Sequence, residues 1–208
     1  NFNIYTSDPL ESGNLSQTSV RSIFMDTQGG MWLGTYFGGL NYYHPFKDRF
    51  SNLQSTFKEN SLNCKIIGCI KEDALNNLWI GTNSGGVNFY NPRTRTFKHY
   101  TSKEGIGSND IKVIHIDEEN NLIYIGTHTG GLSILNRKSG HIETIRNNRT
   151  NNIYTFEPTE NGEFWVSGIS ELLRFNPKNK TFTIITTQAD GTPFLHQQIT
   201  DIVRDSKR

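Results

Sequence analysis

The sequence predicts an all-β fold: a β-propeller arc of four four-stranded antiparallel blades plus leftover terminal strands, part of a larger propeller. Three observations predict it. A glycine-rich, aromatic-led run recurs four times, as WLGTYFGGLNYYHP from Trp32, WIGTNSGGVNFYNP from Trp79, YIGTHTGGLSILNR from Tyr124 and the shorter WVSGISELLRFNP from Trp165. The anchors Trp32, Trp79, Tyr124 and Trp165 are spaced by 47, 45 and 41 residues, close to the period of one propeller blade. Between the anchors the chain alternates apolar and polar residues over short segments broken by Gly, Asn, Asp and Pro, and no segment of about ten residues repeats with the helical period.

Each unit reads as four strands in order. An apolar first strand ends near an acidic residue in VRSIFMD, KIIGCIKED and IKVIHIDEE, and the fourth copy is NIYTFEP. A short polar turn (TQGG, ALNN, ENN, TENG) leads to the anchor strand MWLGT, LWIGT, IYIGT or FWVSG. A second turn leads to LNYYH, VNFYN, LSILN or LLRFN, stopped by Pro or a basic residue. RFSNLQ, TFKHYT, HIETIR and TFTIITT close the units. The units therefore span 20–54, 65–101, 111–147 and 152–187. NFNIYT (1–6) matches a fourth strand and ITDIVRDSKR (199–208) a first strand, so both belong to neighbouring blades, and the chain is expected to be cut from a longer protein. Four short antiparallel strands per repeat is the propeller blade; a sandwich would not repeat its own sequence.

The glycines invite a phosphate-loop reading, but that needs GxxxxGK[ST] or GxGxxG between a strand and a helix. Here no Lys follows and the next segment, VNFYN, alternates as a strand. Gly85 and Gly86 are instead expected to supply positive φ in a hairpin, and Gly81 to permit close approach between blades. The anchor aromatics are expected to pack between adjacent blades. Asp26, Asp73 and Asp117 recur after the first strand, and an acidic residue there caps the following turn.

Composition excludes several functions. Twenty-one basic and 20 acidic residues give a net charge of +1, with no basic face for nucleic acid or an anionic membrane. No apolar run is long enough to cross a bilayer as a helix. Cys64 and Cys69, five apart, are expected on opposite faces of one strand as small buried residues, without the second pair that a zinc site needs. The six histidines, His44, His99, His115, His128, His141 and His196, form no pair at metal-ligand spacing. No nucleophile elbow is present, and a carboxylate copied once per repeat does not look catalytic. No catalytic residue, metal or cofactor is therefore assigned, although two carboxylates alone would suffice for glycosidase chemistry.

Binding is easier to place, because repeat scaffolds carry function on their loops. The turn between second and third strands keeps its frame while its tip changes. The tips hold Tyr36 and Phe37, then Asn83 and Ser84, then His128 and Thr129, and in the fourth unit Gly168, Ile169 and Ser170. The first six are the candidate ligand-binding residues, on the rim that also carries the long connections 7–19, 55–63 and 101–110.

The unit, an apolar strand, Asp, a Gly/Asn turn, W-[IL]-G-T, a Gly-Gly turn and [LV]-N-x-[FY]-x-P, resembles the two-component regulator propeller repeat of Bacteroidetes-type hybrid sensors. The fourth unit departs from it, with Ser167 in place of Gly and no Gly-Gly pair. The resemblance implies a periplasmic sensor region of two tandem seven-bladed propellers and a β-sandwich. A transmembrane helix, histidine kinase, receiver and DNA-binding region would follow, none of them in this segment. It further implies an oligosaccharide ligand, signalling to polysaccharide-utilisation genes, and a dimer; exposed blade edges are a second route to self-association. The segment itself is then no enzyme. A catalytic propeller of the streptogramin-lyase kind and a plain protein-interaction propeller are the competing expectations.

Overall fold

The computed structural model describes residues 4–7, 13–44, 46, 49–56, 58–147, 151–188, 190–193 and 199–205. These form sixteen strands and, among the described residues, no helix, so none is present that could cross a membrane. The strands are β1 Val20–Met25, β2 Met31–Thr35, β3 Leu40–Tyr43, β4 Phe50–Leu53, β5 Ile67–Glu72, β6 Leu78–Thr82, β7 Val87–Asn91 and β8 Thr96–Tyr100. They continue as β9 Ile111–Asp117, β10 Leu122–Thr127, β11 Leu132–Asn136, β12 Ile142–Ile145, β13 Thr155–Pro158, β14 Phe164–Ser167, β15 Leu172–Asn176 and β16 Thr181–Ile184. Each consecutive four make one antiparallel sheet in chain order. The all-β class and the four-stranded blades are those the repeat predicts.

The chain divides into two compact units, residues 1–103 with 109–111, and residues 104–108 with 112–208. In the first unit, two sheets face each other across Trp32, Leu40, Leu62, Ile67, Ile70, Leu78, Ile80 and Tyr90. In the second unit the equivalent residues are Tyr124, Leu132, Ile153, Phe156, Phe164, Val166, Leu173 and Phe175. The anchors Trp32 and Tyr124 thus lie at the sheet-to-sheet interface of their units, as their size and apolar area favour. Tyr124 sits 5.0 Å from Phe164 and 5.3 Å from Phe156 between ring centroids.

The glycine beside each anchor permits the sheets to close. A Cβ on Gly34 would stand 2.6 Å from Cγ2 of Ile67, and one on Gly81 would stand 2.7 Å from Cγ2 of Ile111. Ser167 takes this place in the fourth sheet, fully buried and with its hydroxyl unpaired.

The recurring aspartates cap their turns and also hold the anchors. Asp26 accepts hydrogen bonds from the backbone N–H of Gln28 (3.0 Å) and Gly30 (2.6 Å), and its other oxygen accepts from the Trp32 indole at 2.9 Å. Asp73 accepts from the N–H of Leu75 (3.0 Å) and Asn77 (2.9 Å) and from the Trp79 indole at 3.1 Å. Asp117 accepts from the backbone and side-chain amides of Asn120. In the fourth sheet Thr159 replaces the aspartate, exchanging hydrogen bonds with Glu163.

Three expectations need correction. Cys64 precedes β5 rather than sharing it with Cys69, and both cysteines are half-buried. The Cys64 thiol donates to the carbonyl of Asn83 at 2.8 Å. In the second hairpin positive φ falls at Ser84 (81°) and Gly86 (72°), not at Gly85. Gly85 is needed for space, since a Cβ there would meet Asn63 and Cys64 at 2.4 and 2.6 Å. Residues 4–7 and 199–205 carry no strand among the described residues; residues 1–3 and 206–208 of those segments lie outside them. Trp165 is half-buried and stands outside the core that Phe164 and Val166 enter. It lines a cleft of about 430 Å³ with Ile202, Val203 and Arg204, whose guanidinium pairs with Glu160. The terminal segment thus lies near the last sheet without pairing to it.

Two outcomes follow. Asp73→Ala removes the cap and the indole acceptor together and is expected to cost about 3 kcal/mol or more by denaturant unfolding, each hydrogen bond to a charged group being worth roughly 1.5–3 kcal/mol. Asp117→Ala, which loses two hydrogen bonds from exposed Asn120, should cost less; equal losses would refute the indole's part. Burial, with Asp117 adding to it, pushes the Tyr124 phenol up to about 12 from 10.0. The unfolded phenol ionises first, so this contribution is complete below pH 10 and lost as pH rises towards 12. The melting temperature of Tyr124→Phe should therefore fall less between pH 10 and 12 than that of the wild type.

Candidate ligand-binding site

The two ends of each sheet are built differently. One end carries the β2–β3, β6–β7 and β10–β11 turns, where the sequence placed its candidates. These turns share a frame in which the hydroxyls of Thr35, Thr82 and Thr127 donate to the carbonyls of Gly39, Gly86 and Gly131 at 2.8–2.9 Å. Behind the frame, Asn41 and Asn88 are fully buried and clamp the connection entering the sheet. The Asn88 carboxamide accepts from the Asn63 N–H at 3.0 Å and donates to the Asn63 side chain at 2.7 Å. Asn41 does the same with Ser16, and Ser133 accepts from Gly107 N–H at 3.0 Å. The connections are therefore packed; Leu15, Leu62 and Ile106 within them are buried. Sequence reading missed this role, although the Asn repeated in LNYY and VNFY signalled it.

On that frame the candidates occupy distinct settings. Phe37 is 56% exposed and edge-packed on Tyr36 at 4.3 Å, while the Arg21 guanidinium lies 4.8 Å over the Tyr36 ring. Asn83 is half-buried with its N–H on the Ile66 carbonyl, and Ser84 is exposed. In the second unit, His128 is half-buried near Tyr154, and Thr129 is exposed with its hydroxyl on the His128 carbonyl. The cavity beside Phe37, lined by Gly38, Gln54 and Lys65, holds only about 60 Å³.

The opposite end of the first unit, carrying the β1–β2, β3–β4, β5–β6 and β7–β8 turns, opens into a cleft of about 380 Å³. Trp32, Tyr42 and Tyr90 give it aromatic walls, and Gln28, Ser51, Asn76 and Arg95 give it polar groups. Tyr42 lies 4.3 Å from Trp32 by ring centroid, and Tyr90 meets Trp32 edge-on at 6.4 Å. Burial raises the Tyr42 phenol, helped by Asp26; burial also raises that of Tyr90, against the opposing pull of Arg95. Both phenols are therefore neutral O–H donors at ordinary pH. Asp26 and Glu72 also line the cleft but are engaged, Glu72 accepting from the Thr27 N–H at 2.9 Å and from the Asn76 amide at 3.1 Å. Asn76 also donates to the Thr27 hydroxyl at 2.8 Å, so the two turns flanking the cleft are tied together. No local pattern signals this cleft, since its walls come from two repeats and its residues read as strand and turn.

Among the described residues no three His, Cys, Asp or Glu side chains gather to hold a metal ion; His196 lies outside them.

The profile of the two-component regulator propeller family matches residues 14–37 and 61–84. Two stretches of the chain, one in each of the first two sheets' repeats, thus match the two-component regulator propeller repeat. Each match starts in the connection ahead of the first strand and ends at a β2–β3 type turn, so the matched stretches include Ser16 and Asn63 of the clamp. No curated protein matches the sequence significantly. Among solved structures, the extracellular domain of the hybrid two component system BT3049 of B. thetaiotaomicron superposes with a TM-score of 0.76 at 23% identity, covering 86% of this chain and 25% of that one. The extracellular domain of BT4673 of the same organism gives 0.71 at 21% identity, over 88% of this chain and 26% of that one. PorZ, a surface component of the type-IX secretion system of Porphyromonas gingivalis, gives 0.66 at 14% identity, over 90% and 30%. The chain thus spans about a quarter to a third of the length of these structures, and at these identities the likeness shows the propeller fold.

The two roles at the turn end separate by mutation. Asn88→Ala removes both hydrogen bonds to Asn63 and is expected to cost about 1–3 kcal/mol in chemical denaturation, roughly 0.5–1.5 kcal/mol for each bond. Ser84→Ala, at an exposed tip, should stay within about 0.5 kcal/mol of wild type. A silent Asn88→Ala would show that the clamp does not hold the connection.

Proposed function

We propose that this chain is an extracytoplasmic, non-catalytic ligand-sensing segment of a hybrid two-component receptor, in the periplasm, and that its ligand is an oligosaccharide released from a complex glycan. The observation that carries the reading is the occurrence of the family's repeats in a scaffold that leaves an open, aromatic-walled cleft. Two of the similar structures are extracellular domains of such systems, which supports the location. Aromatic faces beside hydroxyl and amide groups suit the apolar faces and hydroxyls of sugars, and the exposed Phe37 with Tyr36 offers a second aromatic platform at the other end.

In this reading the segment acts by differential binding. A ligand favouring one arrangement of propellers or protomers shifts the population towards it, and the shift crosses the membrane to the kinase, ending in transcription of polysaccharide-utilisation genes. The partner is a second copy of the receptor. Apolar surface such as Ile23 and Met25, 64% and 57% exposed on β1, supports contact with further sheets or protomers.

Calorimetry of the intact protein against a panel of plant and host glycan fragments tests the reading. Binding heat is expected with at least one fragment; a folded protein that gives none with any would overturn it.

A further inference from the structure

The cleft of the first unit differs from its counterpart in the second at the positions that decide what it can hold. Strand register defines the counterparts. Ser51 pairs with Tyr42 as Glu143 pairs with Ile134, and Tyr90 pairs with Leu78 as Phe175 pairs with Phe164. Arg95 and Lys180 both end the turn before a fourth strand, with the same left-handed backbone, φ 57° and 59°. In the second unit Lys180 forms an ion pair with Glu143, and the positions of Tyr42 and Tyr90 hold apolar Ile134 and Phe175. In the first unit that carboxylate is replaced by the Ser51 hydroxyl, and the apolar residues by the phenols Tyr42 and Tyr90. Among the described residues no carboxylate pairs with Arg95, the cation that lines this cleft.

The charges left in the cleft select the ligand. Asp26 and Glu72 are occupied by the Trp32 indole and by turn N–H groups, so they offer a ligand little hydrogen-bonding capacity. Carboxylates beside the cleft repel a doubly charged anion such as a phosphate more strongly than a singly charged one. A guanidinium with no carboxylate partner among the described residues suits one carboxylate, which it can grip with two parallel hydrogen bonds. The aromatic walls suit the C–H face of a ring, and the Tyr42, Tyr90 and Ser51 hydroxyls suit ring hydroxyls.

We propose that this cleft binds one carboxylate-bearing pyranose, a uronic acid residue of an oligosaccharide, with Arg95 on its carboxylate. The proposal rests on the ligand-sensing reading above and specifies its ligand and its place. That place is the end of the sheets opposite Tyr36, Phe37, Asn83 and Ser84.

The test is calorimetric titration of the intact protein with oligogalacturonate and oligoglucuronate, and with the same oligomers methyl-esterified at the carboxyl groups. Esterification removes the charge and keeps the rings and linkages. At least one acid form should bind, and its ester should bind about tenfold more weakly or worse, the loss expected for one charge-assisted hydrogen bond. Arg95→Gln should weaken the acid form to the level of the ester. Ser51→Glu, which rebuilds the ion pair of the second unit, should do the same with no fall in melting temperature; it decides the matter if Arg95→Gln does not fold. Equal affinity for acid and ester, or undiminished binding of the acid by folded Ser51→Glu, would overturn the proposal. Binding of neutral glycans with no response to either uronate would overturn it too, leaving the sensing reading intact. No binding of any glycan would remove both.

Discussion

The structure depends on one constraint: a four-stranded sheet of this size cannot bury its own faces. Each sheet must lean on another, and the contact must be close enough to exclude water. In the first unit Trp32 extends from its sheet into Ile70, Leu78, Ile80 and Tyr90 of the next, while Gly34 lets Ile67 approach where any side chain would collide. Large aromatic and absent side chain thus work as a pair two residues apart on the same strand. The second unit repeats the arrangement with Tyr124 and Gly126 against the sheet carrying Phe156 and Phe164. Burial of apolar area supplies the driving force, and interior packing without voids sets its geometry.

That packing fixes the middle of each sheet and leaves the ends to be secured by polar groups. At one end, Asp26 and Asp73 neutralise the N–H groups of their turns and take up the indole N–H that would otherwise be buried unpaired. At the other, Asn41 and Asn88 satisfy the incoming connection, and the threonine hydroxyls close the hairpins. Each device is internal to one repeat, so it recurs wherever the sequence recurs. Contacts between repeats are freer to diverge. The place occupied in the second unit by the Lys180–Glu143 ion pair holds in the first the Ser51 hydroxyl and the Arg95 guanidinium, which has no carboxylate partner among the described residues. Function has room at such positions, because changing them does not disturb the frame.

Much of the fold was legible because its causes are local and repeated. Period, anchor aromatics and turn residues placed the strands of all four sheets, and the aspartate's capping role followed from its position at a strand end. The glycine pair misled in detail: Ser84 and Thr129 take positive φ, as Asn and Gly do more often, while Gly85 and Gly130 are there for lack of space. Sequence shows that a residue is small, but not whether conformation or crowding requires it. The terminal segments matched strands in pattern, yet residues 4–7 and 199–205 form none, since a strand exists only against a partner.

The sequence by itself determined the all-β repeat, its four-stranded unit, the place of Trp32 and Tyr124 between sheets and the absence of a phosphate-loop context for its glycines. It did so because strand alternation, turn chemistry and repetition are read within one unit. Tertiary structure alone decided where an open cleft lies. Trp32 and Tyr42 meet Tyr90 and Arg95 from some fifty residues away, and whether their cation is paired depends on which residue stands opposite it in the neighbouring sheet. Such juxtapositions are set by the packing of one sheet on the next, and no spacing along the chain records them.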